Sequence, residues 1–280
     1  MALAITNRKF HTNMRAFVPM YNSIKVVVNF FSRQLHFDKY KSQTGRKLAL
    51  PIEDIISFAI FKQKNNIATK RALFNILKPN CSYKTLVVNL NRWFFLAVII
   101  IVLLMKLNRA NAHPVKHIDS TEIPVCLFKN ANAHKTMKGY AEYRKKGNTT
   151  FYGLKLHIIT DLKQKLLSIQ FTGAKTDDRE VVIKMADDLT GIFMADAGYI
   201  SDKLAREFYQ EHKRVLLAKP KKNMKKIMTE FKEMLYRTRF LIEFNFRDLK
   251  LFHGLITSLP RSVGGYLANY IYSILAYQIV

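Results

Sequence analysis

The sequence predicts an α/β fold preceded by a basic, mainly helical N-terminal region. Three observations carry this. Past residue 114, short apolar and alternating runs interleave with helical segments in the order β-β-β-α-β-α-β-α, a hairpin-containing sheet flanked by helices. Residues 1–114 hold 18 Lys/Arg and only three acids, Asp38, Glu53 and Asp54, and read mainly as helix. With 280 residues, 49% of them hydrophobic and 24% charged, the chain can bury a core without disulfides and does not have the composition of a disordered or low-complexity protein.

In the first part, Ile52, Ile55, Ile56, Ala59, Ile60 and Phe61 recur at helical spacing behind Pro51, with Glu53 and Asp54 in the first turn. After the loop KQKNN, further helices are expected over Thr69–Leu77 and across Tyr83–Leu107. The run WFFLAVIIIVLLM, Trp93 to Met105, is 13 residues long and closed by Arg92 and Lys106. A bilayer span needs about 20 residues, so a buried core helix is expected, with Trp93 in the core. The start, MALAITNRKFHTNMRAF, lacks the continuous apolar stretch of a secretory signal. Cys81 and Cys126 lie 45 residues apart without a C-x-x-C, the pattern of two reduced thiols in a cytoplasm. The loop NRANAHP, Asn108 to Pro114, sets the expected boundary between a basic helical domain, residues 1–114, and an α/β domain, residues 115–280.

In the second part, VKHIDS (Val115–Ser120) reads as a strand. FYGLKLHIIT (Phe151–Thr160) alternates Leu154, Leu156 and Ile158 with Lys155 and His157, and LLSIQFT (Leu166–Thr172) returns as its hairpin partner. Thr176 and Asp177 can cap a helix to about Leu189. GIFMA (Gly191–Ala195) is a short buried strand that delivers Asp196, Ser201 caps a helix to about His212, and RVLLA (Arg214–Ala218) is the last strand. After the basic loop KPKKNMKK come one long helix, about Thr229–Phe252, and a final one, about Val263–Ile279. This order is that of the ribonuclease H-like fold.

Charge narrows the function. Lys plus Arg total 46 against 20 acids, a net charge of +26 and a pI near 10.0. Such a chain attracts polyanions, with nucleic acid first and an anionic membrane surface second. The acids are almost all in the second part, and three stand on elements that the topology brings together: Asp119 in HIDST and Asp196 in MADAGY at strand ends, and Glu243 inside the long helix. Three converging carboxylates need a counter-charge, which a divalent metal supplies. Singly, each has an ordinary explanation as a turn residue, a helix cap or a solvated helix acid. Around Glu243, Tyr236, Arg239, Glu243 and Lys250 are spaced 3, 4 and 7, which places them on one face of a continuous helix, a face suited to holding metal and phosphate together. The ordinary reading of Arg239 and Glu243 is an i,i+4 ion pair.

Asp177, Asp178 and Glu180 fit a helix N-terminus through the macrodipole. His117 and His157 lack metal-ligand spacing, so zinc is not expected, and no nucleotide-binding G-x-x-x-x-G-K-[ST] or hydrolase G-x-S-x-G occurs. The runs Arg144–Lys146 and Lys221–Lys226 read as solvated loops that can track DNA backbone.

The spacing Y-x2-R-x3-E-x6-K resembles the signature around the catalytic Glu of bacterial insertion-sequence DDE transposases. DSTEIPVC (Asp119 to Cys126), FYGLKLHIITD, TDDRE (Thr176–Glu180) and ADAGYIS (Ala195–Ser201) resemble motifs of the 982-type insertion-sequence family. The resemblance covers residues 115–280 well and the basic first part loosely. It implies a transposase that cuts DNA at the ends of an insertion sequence and joins the freed 3′-OH to target DNA. It further implies that Asp119, Asp196 and Glu243 bind two Mg²⁺ ions, or Mn²⁺ in their place, while Tyr236, Arg239 and Lys250 contact phosphate. The partners implied are double-stranded DNA, as the element's terminal inverted repeats and as target, and a second copy of the chain, since two ends must be joined. Where the family holds Pro or a small residue after DST, this chain has Glu122. The rival readings are a transposase-derived DNA-binding protein with a dead site, a nuclease of the same fold that never joins strands, and a membrane-surface protein using Trp93–Met105.

Overall fold

The computed structural model describes residues 14–40, 47–220 and 228–279. Five helices come first: α1 (Met14–Gln34), α2 (Ile52–Lys64), α3 (Lys70–Leu77), α4 (Tyr83–Arg92) and α5 (Phe94–Ala110). The spacing of apolar residues explains them. Ile52, Ile55, Ile56, Ala59 and Ile60 of α2 are all buried, and Tyr21, Ile24, Val28 and Phe31 of α1 form the matching stripe. Two of the three acids of this region bind α2 to α1: Asp54 pairs with Lys25 at 2.6 Å and Glu53 accepts from Ser32 at 2.6 Å. Side-chain caps set the helix starts. Thr69 accepts from the Ala72 N–H at 3.0 Å and Ser82 from that of Thr85 at 3.1 Å.

The second part alternates strands and helices: β1 (Val115–Pro124), β2 (Glu142–Lys146), β3 (Thr149–Asp161), β4 (Leu166–Gly173), α6 (Asp178–Met185), β5 (Ile192–Ala195), α7 (Asp202–His212), β6 (Val215–Ala218), α8 (Glu230–Arg237), α9 (Phe240–Arg247) and α10 (Val263–Gln278). Among the described residues the strands form one mixed six-stranded sheet in the order β2-β3-β1-β5-β6, with β4 also on β3. β1 to β4 pair antiparallel, while β1–β5 and β5–β6 pair parallel. β3 is long enough to share its outer edge, residues 149–153 with β2 and 154–160 with β4. This mixed sheet behind an N-terminal helical region is consistent with a ribonuclease H-like domain.

Alternation along the strands makes two cores. On one face Ile123, Leu154, Leu156 and Ile158 join α1, α2, α4, α5, α9 and α10 in a single apolar cluster. On the other face Ile118, Ile159, Leu167 and Phe193 pack against Val182 of α6 and Phe208 of α7. The first cluster runs without a break from residues before 114 to residues after it. Leu96, Ala97, Ile100 and Ile101 of the apolar run lie in it, with Trp93 buried beside them. No single helix among the described residues is long and apolar enough to cross a membrane; α4 and α5 reach that length only as a pair bent by 41°.

Four expectations need correction. The helix over Tyr83–Leu107 is two helices. The Trp93 indole donates to Asn89 at 3.1 Å, and tighter i−3 bonding at the Leu96 N–H bends the chain there. The long helix over Thr229–Phe252 is broken as well. The Thr238 and Arg239 N–H groups bond three residues back, the Thr238 hydroxyl donates to the Leu235 carbonyl at 2.7 Å, and α8 ends. After α9, residues Asp248–Phe252 widen into a π-helical turn. Tyr236, Arg239, Glu243 and Lys250 therefore do not share one continuous helix. Arg144–Lys146 is no loop but part of β2, whose charged sequence EYRKK hides its strand character. The other basic run, Lys221–Lys226, lies outside the described residues. Finally, α1 was not among the expected helices; Pro19 inside it obscures the periodicity.

β1 and β3 cross very closely at Gly153. A Cβ added there would stand 2.1 Å from the Ile123 carbonyl oxygen. Gly153→Ala should therefore force the two central strands apart and cost about 1–3 kcal/mol, read as a lower urea midpoint at unchanged m-value.

Candidate active site

The site begins with register. β1 and β5 run parallel and pair through His117 opposite Met194. Two residues further along each strand stand Asp119 and Asp196, at the same level on neighbouring strands whose spacing is about 4.8 Å. The Asp119 carboxylate accepts the Ser120 N–H at 2.8 Å, and Asp196 caps the short turn Ala197–Tyr199 by accepting the Gly198 N–H at 2.7 Å. Sequence analysis placed these two aspartates side by side, and the sheet does so.

α9 crosses the Asp119 face of β1, with Ile242 and Phe246 buried in the core beneath it. Its first turn brings Glu243 and, just before it, Arg239. The Arg239 guanidinium bridges two of the three carboxylates: Nη2 donates to Asp119 Oδ2, and Nη1 to Glu243 Oε1 at 3.1 Å. The i,i+4 ion pair is therefore present, and it is also the link that brings Glu243 to Asp119. Tyr236, on α8, lies within electrostatic reach of Asp119, Asp196, Glu243 and Arg239, and the Lys219 ammonium sits 5.7 Å from the centre of its ring. Burial raises the Tyr236 hydroxyl above its ordinary value. Lys250 lies on the π-helical turn, one element beyond Glu243.

Burial dominates the electrostatics of Asp119 and pushes its carboxyl up to about 6. Arg239 and the Ser120 N–H pull it down, while the negative charges of Asp196 and Asp178 push it further up. The site is short of positive charge even with Arg239 in place. Its donors are carboxylate oxygens, the kind that Mg²⁺ and Mn²⁺ take. Among the described residues no three Asp, Glu, His or Cys side chains are yet arranged to hold a metal, because Arg239 stands between Asp119 and Glu243. The donor chemistry fits a divalent cation.

Three groups around the site were not assigned to it from sequence. Asp178, read as a helix-terminal charge, reaches toward Asp119 from the opposite face, held by Lys155 at 2.9 Å with the His157 ring 3.5 Å away. Its neighbour Asp177 does cap α6, as expected. Tyr199 is buried among Asp178, Asp119 and Asp196, which with burial raise its hydroxyl strongly. His117 joins the break between α8 and α9 to β1 through a 2.8 Å hydrogen bond with the Thr238 hydroxyl. Nothing in the local sequence marked any of the three as a neighbour of the site. Glu122 is separated from Asp119 by an odd number of strand positions, so it lies on the other face, opposite Lys155.

The family model described as Transposase DDE domain matches residues 109–262, more than half of the chain and all six residues singled out above. DDE domains generally use divalent metals. No curated protein and no solved structure matches the chain.

His117 and His157 are fully buried, and burial lowers both rings to about 4, with Asp161 and Asp178 respectively opposing that shift. A neutral buried ring favours the folded state fully above the ordinary value near 6.5, and this is lost as pH falls toward 4. In chelator, the unfolding free energy should drop by about 2–3 kcal/mol per histidine between pH 6.5 and pH 4. Burial of Asp119 acts in the opposite direction over about pH 4–6. His157→Gln, which keeps a donor to Thr172, should remove roughly half of the histidine contribution in urea titrations across this range.

Proposed function

The chain belongs to the transposase DDE-domain family, and on that premise we propose that it cuts DNA at the ends of an insertion sequence and joins the freed 3′-OH to target DNA. The observation that supports this best is the alignment of Asp119 and Asp196 on neighbouring parallel strands, with Glu243 and Arg239 carried over them by α9. The quoted motifs support the finer reading that this insertion sequence is of the 982 type.

In this reading Asp119, Asp196 and Glu243 hold two Mg²⁺ ions, or Mn²⁺. Such ions activate an attacking oxygen and stabilise the leaving one in a phosphodiester exchange. The chain's own groups prepare the site. Asp119 and Asp196 are each fixed by a backbone N–H donor, so their carboxylates are held in set directions. Arg239 exchanges its carboxylate partners for a DNA phosphate, which it can grip as a fork. Tyr236 and Lys250 contact phosphate on either side. Water attacks phosphorus at the element's end and the P–O3′ bond breaks; the 3′-OH released then attacks a phosphorus of target DNA, whose own P–O3′ bond breaks and leaves a target 3′-OH.

The N-terminal region, residues 1–114, with its 18 basic residues, supplies affinity for the element's terminal repeats, and residues 115–280 carry the chemistry. A homodimer on DNA holds the two ends together.

The test is a plasmid carrying this gene with its native flanking DNA, incubated with the purified protein with and without Mg²⁺, with nicks mapped to the base. Nicks at two fixed flanking positions are expected only with metal. Asp119→Asn, Asp196→Asn and Glu243→Gln should each lower them at least about a hundredfold without loss of DNA binding. Binding with no cut in either Mg²⁺ or Mn²⁺ would establish the dead-site reading instead. Cutting without any joined product would establish the nuclease.

A further inference from the structure

Between β1 and β3 the chain makes an excursion, residues 125–148, that the reading above does not use. It carries Leu127, Phe128, Tyr140 and Tyr143 with 63%, 52%, 59% and 40% of their surface exposed. An exposed apolar group of this kind calls for a partner. Phe128 stands edge-on to Tyr143, centroids 6.3 Å apart, and Tyr143 lies against Tyr152 at 4.7 Å. The Tyr143 hydroxyl donates to Asn132 at 2.7 Å, so the ring is fixed at both ends while its outer face is open. The same excursion carries four exposed lysines, Lys129, Lys135, Lys138 and Lys145. The excursion's one acid, Glu142, is occupied by the Lys175 N–H at 2.9 Å.

We propose that this surface is a stacking platform for unpaired DNA bases, and the proposal rests on the chain's acting on DNA ends. Fixed aromatic faces on a lysine-rich excursion match what single-stranded nucleic acid offers, a flat base beside a phosphate. Bases in a duplex already have both faces covered, so only an unpaired or extruded base can take the place. A protein partner fits less well, since interface centres are poor in Lys. The platform lies on the catalytic face of the sheet. Tyr152, Leu154, Leu156 and Ile158 alternate onto one face, and Ile158 is opposite Asp119. Six strand residues separate Tyr152 from Ile158, about 20 Å, or about six stacked nucleotides. Leu154, Leu156 and Ile158 between them are buried beneath the helices, so the platform stands apart from the acidic centre.

Binding to the full-length protein in EDTA, where no cutting occurs, separates this from the catalytic reading. The probes are a thymidylate dodecamer and a blunt duplex. The double variant F128A/Y143A should weaken dodecamer binding about tenfold or more and duplex binding by no more than about twofold, while Tyr143→Phe stays near the parent on both. In the unaltered protein, a dodecamer carrying 5-iodouracil should photo-cross-link to the peptide containing Phe128 or Tyr143, which decides the matter even if the double variant does not fold. Equal losses on both probes, or cross-links confined to other peptides, would overturn the proposal. Unchanged DNA binding with an altered oligomeric state in sedimentation would overturn it in favour of a second copy of the chain.

Discussion

Everything in this molecule hangs on β1 being the central strand. It is paired antiparallel on one side with β3 and parallel on the other with β5, and its two faces belong to two different apolar cores. The parallel pairing is short, Val115 to His117 against Ile192 to Met194, yet it fixes where both strands stop being sheet. Asp119 and Asp196 owe their alignment to that register. A slip of one residue in the antiparallel pairing would turn Asp119 to the wrong core. The burial of Ile118 and Ile123 on opposite faces makes such a slip costly, so packing energy protects the geometry of the site.

The element that completes the site is held differently. α9 is anchored through Ile242 and Phe246, which are buried, but its approach is limited by the break at Thr238 and Arg239. That break is tied to β1 by the hydrogen bond between Thr238 and His117. Glu243 itself is largely exposed and meets Asp119 only through Arg239. Two of the acidic groups are thus part of the sheet's rigid frame, and the third is joined to it by a side chain.

The sheet was largely legible from sequence because its strands alternate strongly or are short apolar runs, as in FYGLKLHIIT and GIFMA. β2 was not, since EYRKK has the composition of a solvated loop and becomes a strand only because the first half of β3 leaves an edge to fill. The caps at Thr69, Ser82, Asp177 and Ser201 set helix starts by local chemistry, and all four starts were legible, those at Asp177 and Ser201 from the capping residue itself. The two helix breaks were not, because continuous apolar periodicity runs through Trp93 and Thr238 and the bends arise from side-chain bonds to nearby groups. At the site, the neighbourhood of Asp119 and Asp196 follows from strand order. Asp178 and Tyr199 came to light only in three dimensions, since their approach depends on how α6 and the turn after β5 pack on the far face.

Arg239 gives the acidic centre a cation that belongs to the chain itself. Domains whose clustered acids or thiols have no such internal cation depend on a bound ion to assemble. Here the carboxylate brought in by α9 and the one at the centre of β1 already neutralise part of each other's repulsion through the guanidinium between them. The packing of the fold around this centre therefore needs no ion, and any cation drawn to it would compete with an arginine rather than with water alone.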